Sequence, residues 1–138
     1  GGAGADGAGG GLRLATGSVD ETVRLWSLPA PEEPAEGKKK EEPTLLCEHT
    51  LTGHHLGVVS VAASPSGDQL AVTSMDSVIR LWTAEGVNVG RDIEVEPVEA
   101  WSVTWNPIAD TCQIATGSQA GRVNLWDTRS GEKVGALE

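Results

Sequence analysis

Three side chains of the types that form a hydrolase catalytic triad, His54, Ser74 and Asp76, lie close together in the sequence. A serine nucleophile needs a base within hydrogen-bond reach, a group that orients the base, and an oxyanion site. The sequence contains no Gly-x-Ser-x-Gly motif, which would place a serine on a sharp strand-to-helix turn. A serine hydrolase that uses Ser74 and His54 therefore stays a remote alternative.

A second group of reactive side chains, Cys47-x-His49 followed by His54-His55, has residue types that bind metal ions. It lacks the paired close spacings that are typical of zinc sites. We therefore predict no metal here, and nothing else in the sequence indicates a cofactor.

The elements that must position these residues are repeated. "RLATGSVDETVRLWS" (13–27), "QLAVTSMDSVIRLWT" (69–83) and "QIATGSQAGRVNLWD" (113–127) share one pattern that ends on Leu-Trp. Trp82 and Trp126 lie 44 residues apart, close to the roughly 40–45 residues of a propeller repeat. Trp26 and Trp82 lie 56 residues apart, and the excess falls in the Pro/Glu/Lys-rich insert "PAPEEPAEGKKKEEP" (29–43).

Each repeat contains short runs typical of strands. "VVSVAAS" (58–64) and "AWSVTWN" (100–106) precede the shared pattern, which itself contains two strands around a turn. A weaker fourth run follows each pattern. Four short strands per repeat, separated by turn residues, predict an all-β fold, a β-propeller of four-stranded antiparallel blades.

Gly53-His54, Ser74-x-Asp76 and Leu81-Trp82 resemble the signature of the WD-repeat family, from Leu12 onward apart from the insert. The resemblance implies an N-terminal fragment of about three blades of a seven-bladed propeller. We expect a Gly-rich loop or tail over 1–11 and an incomplete first blade over 12–52, with the insert at 29–43. The second and third blades are expected over 53–95 and 96–138.

The same resemblance implies a structural role for the triad-like residues. In this interpretation the indole of Trp82 bonds to Ser74, Ser74 to His54, and His54 to Asp76. Ala120 stands where the third repeat should carry an Asp, and a network that decays between repeats suits a structural role. The matching residues of the other repeats are Ser18, Asp20, Trp26, Ser118 and Trp126.

The charge balance narrows the class of partner. The formal net charge is −10, with 20 acidic and 10 basic residues, which argues against direct nucleic-acid binding. No signal peptide or membrane span is visible, and two cysteines suit free thiols in a reducing compartment. We therefore expect protein partners, with no membrane and no small-molecule substrate.

In a four-stranded meander, the turn between strands two and three and the link to the next blade lie on one face. WD-repeat proteins generally bind partner peptides on that face, which makes its exposed side chains the candidates. Trp105 is expected in the core, while Trp101 suits either core or interface. The candidates are His55, Leu56, Met75, Glu99, Trp101 and Gln119.

The expected function is a non-enzymatic scaffold that binds short segments of other proteins. Within the family, "LTGHHLGVVSV", "SMDSVIRLW" and "PVEAWSV" resemble a subunit of complexes for exosome-linked mRNA decay and transcription elongation. That resemblance implies the nucleus and the cytoplasm. The alternative is a WD-repeat substrate receptor of a ubiquitin ligase, or a chromatin adaptor.

Overall fold

The computed structural model describes residues 3–5, 12–30 and 33–138. These form three four-stranded antiparallel sheets, in which consecutive strands pair in chain order. The strands are β1 (Ala3–Ala5), β2 (Leu12–Gly17), β3 (Val23–Leu28), β4 (Leu46–Leu51), β5 (Val58–Ala63), β6 (Gln69–Ser74), β7 (Val78–Thr83), β8 (Ile93–Glu94), β9 (Ser102–Trp105), β10 (Gln113–Gly117), β11 (Val123–Asp127) and β12 (Lys133–Leu137). Within these ranges no helix is long and apolar enough to cross a membrane.

The prediction of an all-β fold built from four-stranded antiparallel blades is confirmed. The first blade differs from the expectation, because Ala3–Ala5 pairs with β2 as a first strand. Sequence patterns miss such a strand, since Gly and Ala carry no β-type side-chain signal and backbone hydrogen bonds alone define the pairing. The rest of the predicted loop, residues 1–2 and 6–11, lies outside the described residues.

The apolar cores lie between the blades. One cluster joins the first and second blades, and another joins the second and third. The first cluster contains Ala15, Val23, Leu25, Leu51, Val61, Leu70, Val72 and Trp82. The second contains Ala71, Ile79, Leu81, Ile93, Ala100, Val103, Ile114 and Trp126.

Strand alternation explains how the second blade serves both cores. Leu70 and Val72 of β6 face the first blade, while Ala71 between them faces the third. Because successive strand residues point to opposite sides of the sheet, a central blade needs apolar residues at consecutive positions. This accounts for the nearly continuous burial of β6 and β7.

Close approach and polar contacts fix the blades together. A methyl group at Gly17 would clash with Val58 and Val61 of the second blade, so only glycine permits this packing. Trp105 is half-buried against the second core, and its indole N–H donates to the Ala62 carbonyl at 2.9 Å. The prediction that Trp105 packs between blades thus agrees with its position.

The acidic insert connects β3 to β4. All its described residues, 29–30 and 33–43, are exposed. Pro31 and Glu32 lie outside the described residues. An exposed segment of this composition contributes little apolar burial to the fold.

Candidate functional site

One end of the three sheets carries the turns between the second and third strands of each blade, residues 18–22, 75–77 and 118–122. The connections between blades, residues 52–57 and 95–101, lie at the same end. Backbone N–H groups join these segments: Val58 donates to Ser18, Val95 to Ser77, and Gln119 to Val98, each at 3.0 Å. We call this surface the turn face. It brings together His54, His55, Leu56, Asp20, Met75, Asp76, Glu99, Trp101 and Gln119.

At the centre of the turn face, Asp76 accepts four hydrogen bonds or ion contacts. Its Oδ1 accepts from the Ser74 hydroxyl at 2.8 Å and from the Val78 N–H at 3.1 Å. Its Oδ2 lies 2.8 Å from the Arg80 guanidinium and accepts from the His55 N–H at 3.1 Å. Arg80 also donates to the Ser74 hydroxyl at 3.1 Å. The cluster therefore ties a turn, a strand and the blade connection together.

Opposing effects act on the pKa of Asp76. Burial raises it, but hydrogen bonds from Ser74, Arg80 and the His55 N–H, with the Arg80 charge, outweigh burial. The pKa of Asp76 therefore lies below its ordinary value. A charged carboxylate that neutralises a buried guanidinium is the arrangement that a low-dielectric site requires.

The structure does not form the hydrogen-bonded chain expected from Trp82 through Ser74 and His54 to Asp76. The buried ring of His54 packs against the Trp82 indole, with ring centroids 5.5 Å apart and planes tilted by 42°. Both His54 nitrogens and the Trp82 Nε1 lack hydrogen-bond partners among the described residues. Burial, with the Arg80 charge, lowers the pKa of His54 and keeps the imidazole neutral. His54 thus acts here through ring packing.

The indole partner that the sequence reasoning missed is a threonine. The Trp26 Nε1 donates to the Thr16 hydroxyl at 2.9 Å, and the Trp126 Nε1 donates to the Thr116 hydroxyl at 3.0 Å. In the second blade the aligned residue is Val72, which offers no oxygen, so the Trp82 indole is left without that bond. This threonine can be recognised in the sequence when "LATGS", "LAVTS" and "IATGS" are aligned on their final serines, because the third position is then Thr, Val and Thr.

The serines instead stabilise their own turns. The Ser18 hydroxyl accepts from the Asp20 N–H at 3.2 Å, and the Ser118 hydroxyl accepts from the Arg122 N–H at 3.2 Å. The Ser74 hydroxyl donates to Asp76. A hydroxyl that gives its hydrogen to a carboxylate, with no bond to His54, does not form the nucleophile–base pair of a hydrolase.

The third blade has a buried asparagine where the second blade has a buried arginine. Asn124 occupies the position of Arg80 and is fully buried. Its amide donates to Glu99 Oε2 at 3.3 Å. Glu99 is half-buried and accepts this bond from β11, so this candidate partner residue has a structural contact of its own.

Of the predicted metal-type residues, Cys47 and His49 lie on β4, apart from the two histidines beside Asp76. Cys47 and His49 are exposed on β4, and both Cys47 and Cys112 are free thiols. Within the described part of the chain no group of three His, Cys, Asp or Glu side chains is placed to hold a metal ion.

Beside the Asp76 cluster the turn face exposes apolar side chains. Leu56 is 55% exposed and Trp101 is 48% exposed, and Met75 and Val98 are similarly open. Val59, Met75, Val98 and Trp101 line a cavity of about 100 Å³. The structure therefore places Trp101 at the surface, and it adds Val98, which the sequence reasoning missed.

Backbone geometry makes Leu56 and Val98 equivalent. Each precedes the first strand of its blade, and each has a left-handed φ, 66° for Leu56 and 62° for Val98. A β-branched residue rarely adopts this conformation, so neighbouring structure must hold it. The Val98 carbonyl accepts from the Gln119 N–H at 3.0 Å, and the Leu56 N–H donates to Glu21 at 3.2 Å. Hydrogen bonds to neighbouring segments thus hold both exposed residues in place.

Comparisons with known proteins agree with this architecture. The family described as "WD domain, G-beta repeat" matches residues 8–27 and 45–83. WD repeat-containing protein VIP3 of Arabidopsis thaliana is 37% identical over 124 residues, which are 90% of this chain and 34% of that protein. WD repeat-containing protein SL1-17 of Schistosoma mansoni is 29% identical over 125 residues, 91% of this chain and 37% of that protein.

A further match, which covers a smaller part of the relative, extends the comparison. Coronin-7 of Pongo abelii is 33% identical over 120 residues, 86% of this chain and 12% of that protein. The chain spans little more than a third of the length of the WD repeat-containing relatives above. The matched repeats, these relatives and the three four-stranded blades together support the WD40 repeat family for this chain.

Proposed function

We propose that this protein is a non-enzymatic scaffold that binds short segments of other proteins on its turn face. The observation that carries the proposal is an exposed apolar group: Met75, Val98 and Trp101 line a cavity, and Leu56 is exposed on the same face. WD40 repeat proteins are generally scaffolds for protein–protein interaction, which supports the same function. Buried apolar and aromatic anchors supply most of the affinity of such interfaces.

The charges around the apolar group suggest the chemistry of the partner. Asp20 and Glu21 flank the group on the first blade. Electrostatic complementarity favours a segment that combines an apolar side chain with a nearby Lys or Arg. The Asp76 carboxylate contributes less to this field, because Arg80 already neutralises it.

The assemblies we propose are the superkiller complex, in exosome-linked mRNA decay, and the polymerase-associated factor complex, in transcription elongation. The support is the resemblance carried by "LTGHHLGVVSV", "SMDSVIRLW" and "PVEAWSV". A protein with both assignments acts in the nucleus and the cytoplasm. The alternative is a substrate receptor of a ubiquitin ligase or a chromatin adaptor, and affinity purification with mass spectrometry separates the two by the subunits recovered.

The turn face is tested with Trp101→Ala and Leu56→Ala in the full-length protein. Each truncation is expected to weaken binding of a purified partner by about 2 kcal/mol, because each removes an apolar anchor. Gln119→Ala and His55→Ala should have smaller effects, since these exposed side chains offer polar contacts. The measurement is a titration followed by calorimetry or fluorescence anisotropy.

Leu46→Ala is the matched control, because Leu46 of β4 is 54% exposed, almost the same as Leu56, but lies away from the turn face. Equal losses for Leu46→Ala and Leu56→Ala would show that partner binding does not use the turn face. Labelling of Ser74 by a serine-directed fluorophosphonate probe would favour the hydrolase alternative instead.

A further inference from the structure

The opposite end of the second and third blades contains a groove that the proposed function does not use. Its walls are the β5–β6 turn, the β7–β8 and β9–β10 connections and the β11–β12 turn. It has two adjacent compartments, of about 120 Å³ and about 340 Å³, which share Gln69 and Cys112 in their lining. We call it the lower groove.

The larger compartment is cationic. Arg91 and Arg129 line it, together with Thr128 and the edge of β7. Arg91 forms no ion pair within the part of the chain that the structure describes. Among the described residues, the mostly exposed Arg129 side chain forms an ion pair only with Asp127, at 3.3 Å. Two arginines with spare donors facing one cavity stand out in a chain with a net charge of −10.

The stem of the exposed Arg91 side chain packs against the third blade across the blade junction. Gly131, in the β11–β12 turn, has a left-handed φ of 75°. A methyl group there would lie 3.3 Å from Arg91 Cδ, so the arginine stem rests against the bare glycine backbone. A planar guanidinium loses less entropy per hydrogen bond than a flexible ammonium group when it pairs with a carboxylate.

The smaller compartment is lined by both polar and apolar side chains and carries negative charge. Pro65, Trp105 and the strongly exposed Ile108 line it. Asp68 and Asp110 also line it, and hydrogen bonds from the Ser66 and Ser64 hydroxyls lower the pKa of Asp68. These carboxylates repel an acidic ligand group from this end, while Pro65 and Ile108 offer a surface against which an apolar side chain can pack.

Because the two compartments differ in charge, we propose that the lower groove binds a partner peptide segment in which an Asp or Glu lies close to an apolar side chain. The carboxylate binds Arg91 and Arg129, and the apolar side chain packs against Pro65 and Ile108. Paired guanidinium–carboxylate hydrogen bonds supply the specificity, because their planar geometries match. This site is separate from the turn face and does not depend on the function proposed above.

The test uses synthetic peptides on a Gly-Ser background, each with two glutamates and one leucine at separations of about one to five residues. Fluorescence anisotropy measures their binding to the full-length protein. We expect binding at one or more separations, and a loss of about tenfold or more when glutamine replaces glutamate. Arg91→Glu with Arg129→Glu should cause a similar loss.

Arg122→Glu is the matched control, because Arg122 is an exposed arginine at the opposite end of the same blade. Thermal melting checks that each variant is folded. Two results would overturn the proposal. One is binding that does not change when glutamine replaces glutamate in the peptide, and the other is a loss of binding in Arg122→Glu as large as in the groove variants. Tighter binding after the insert 29–43 is replaced by a Gly-Ser turn would assign the groove to the chain's own glutamates and overturn the partner assignment.

Discussion

The first and second blades carry the same turn motif, Ser-x-Asp-x-x-x-Arg-Leu-Trp, yet the motif has different consequences in each. Asp20 and Arg24 lie 3.9 Å apart, with side chains 50% and 47% exposed. Asp76 and Arg80 lie 2.8 Å apart, with side chains 11% and 6% exposed. One pair is a solvated surface contact, and the other is a buried ion pair.

The difference comes from what covers each turn. The connection that precedes the second blade lies over Asp76, and its His55 N–H donates to the carboxylate. The Arg80 guanidinium also lies 3.8 Å from the carboxylate of Asp92, in the segment between β7 and β8. Asp20 instead accepts from Thr22 of its own turn, and those hydrogen bonds lower its pKa. Neighbouring elements, rather than the motif itself, decide how much such a pair stabilises the fold.

The largest expected effect tests this contrast directly. Asp76→Asn should lower the free energy of unfolding by about 3 kcal/mol, because it leaves the buried Arg80 charge without its partner. Asp20→Asn should change stability little, since its pair is exposed to solvent. Urea unfolding of both variants at neutral pH measures the difference. Equal losses would mean that burial does not distinguish the two turns.

The indole bonds give a second contrast between blades. Thr116→Val should cost about 2 kcal/mol, because it leaves the buried Trp126 N–H without an acceptor. Val72→Thr should cost less, because the new hydroxyl can accept from the unpaired Trp82 Nε1. Urea unfolding compares the two variants. If Val72→Thr were the more damaging change, a threonine in the second blade would not reach the indole.

The pH dependence of stability tests the contribution of His54 in the second blade. His54 has a lowered pKa in the fold, so below its ordinary value of 6.5 the unfolded chain binds more protons than the folded chain. Stability should therefore fall as the pH decreases through this region. The pKa of Asp76 is also lowered in the fold. Its contribution to stability is therefore fully present above its ordinary pKa of 3.8 and is lost as the pH falls through its folded pKa.

His54→Gln removes the titrating imidazole and serves as the comparison. Melting temperatures recorded from about pH 7.5 to about pH 5 should decrease less in the variant than in the parent chain. Parallel curves for the two proteins would show that His54 does not drive the acid sensitivity.

The smallest expected effect concerns the connection between the third and fourth strands. The second blade makes this connection with a compact turn, in which the Thr83 N–H donates to the Val87 carbonyl at 2.8 Å. The first blade uses the exposed insert 29–43. Replacing the insert by a Gly-Ser turn should change stability by about 1 kcal/mol or less, because loop closure depends weakly on length. A fall of several degrees in melting temperature would reveal packing by the insert.

The blade pattern was predictable from the sequence because it is local and repeated. Strand alternation and turn residues placed β5, β6, β7 and the matching strands of the third blade close to their observed positions. The hydrogen bonds of the site were less predictable. Ser74 was expected to accept from Trp82, but threonines fill that role in the other blades, and Arg80 was not expected at all.

The sequence by itself determined the all-β class, the repeat and the end of the sheets at which the candidate residues gather, because each follows from periodicity along one chain. Only the tertiary structure decided that Trp101 is exposed and that Asp76 is buried while Asp20 is not. It also decided that Arg91 and Arg129 face one cavity. Burial and charge pairing depend on which elements meet across a blade junction. Residues of the same sequence motif, such as Asp20 and Asp76, therefore have different neighbours there.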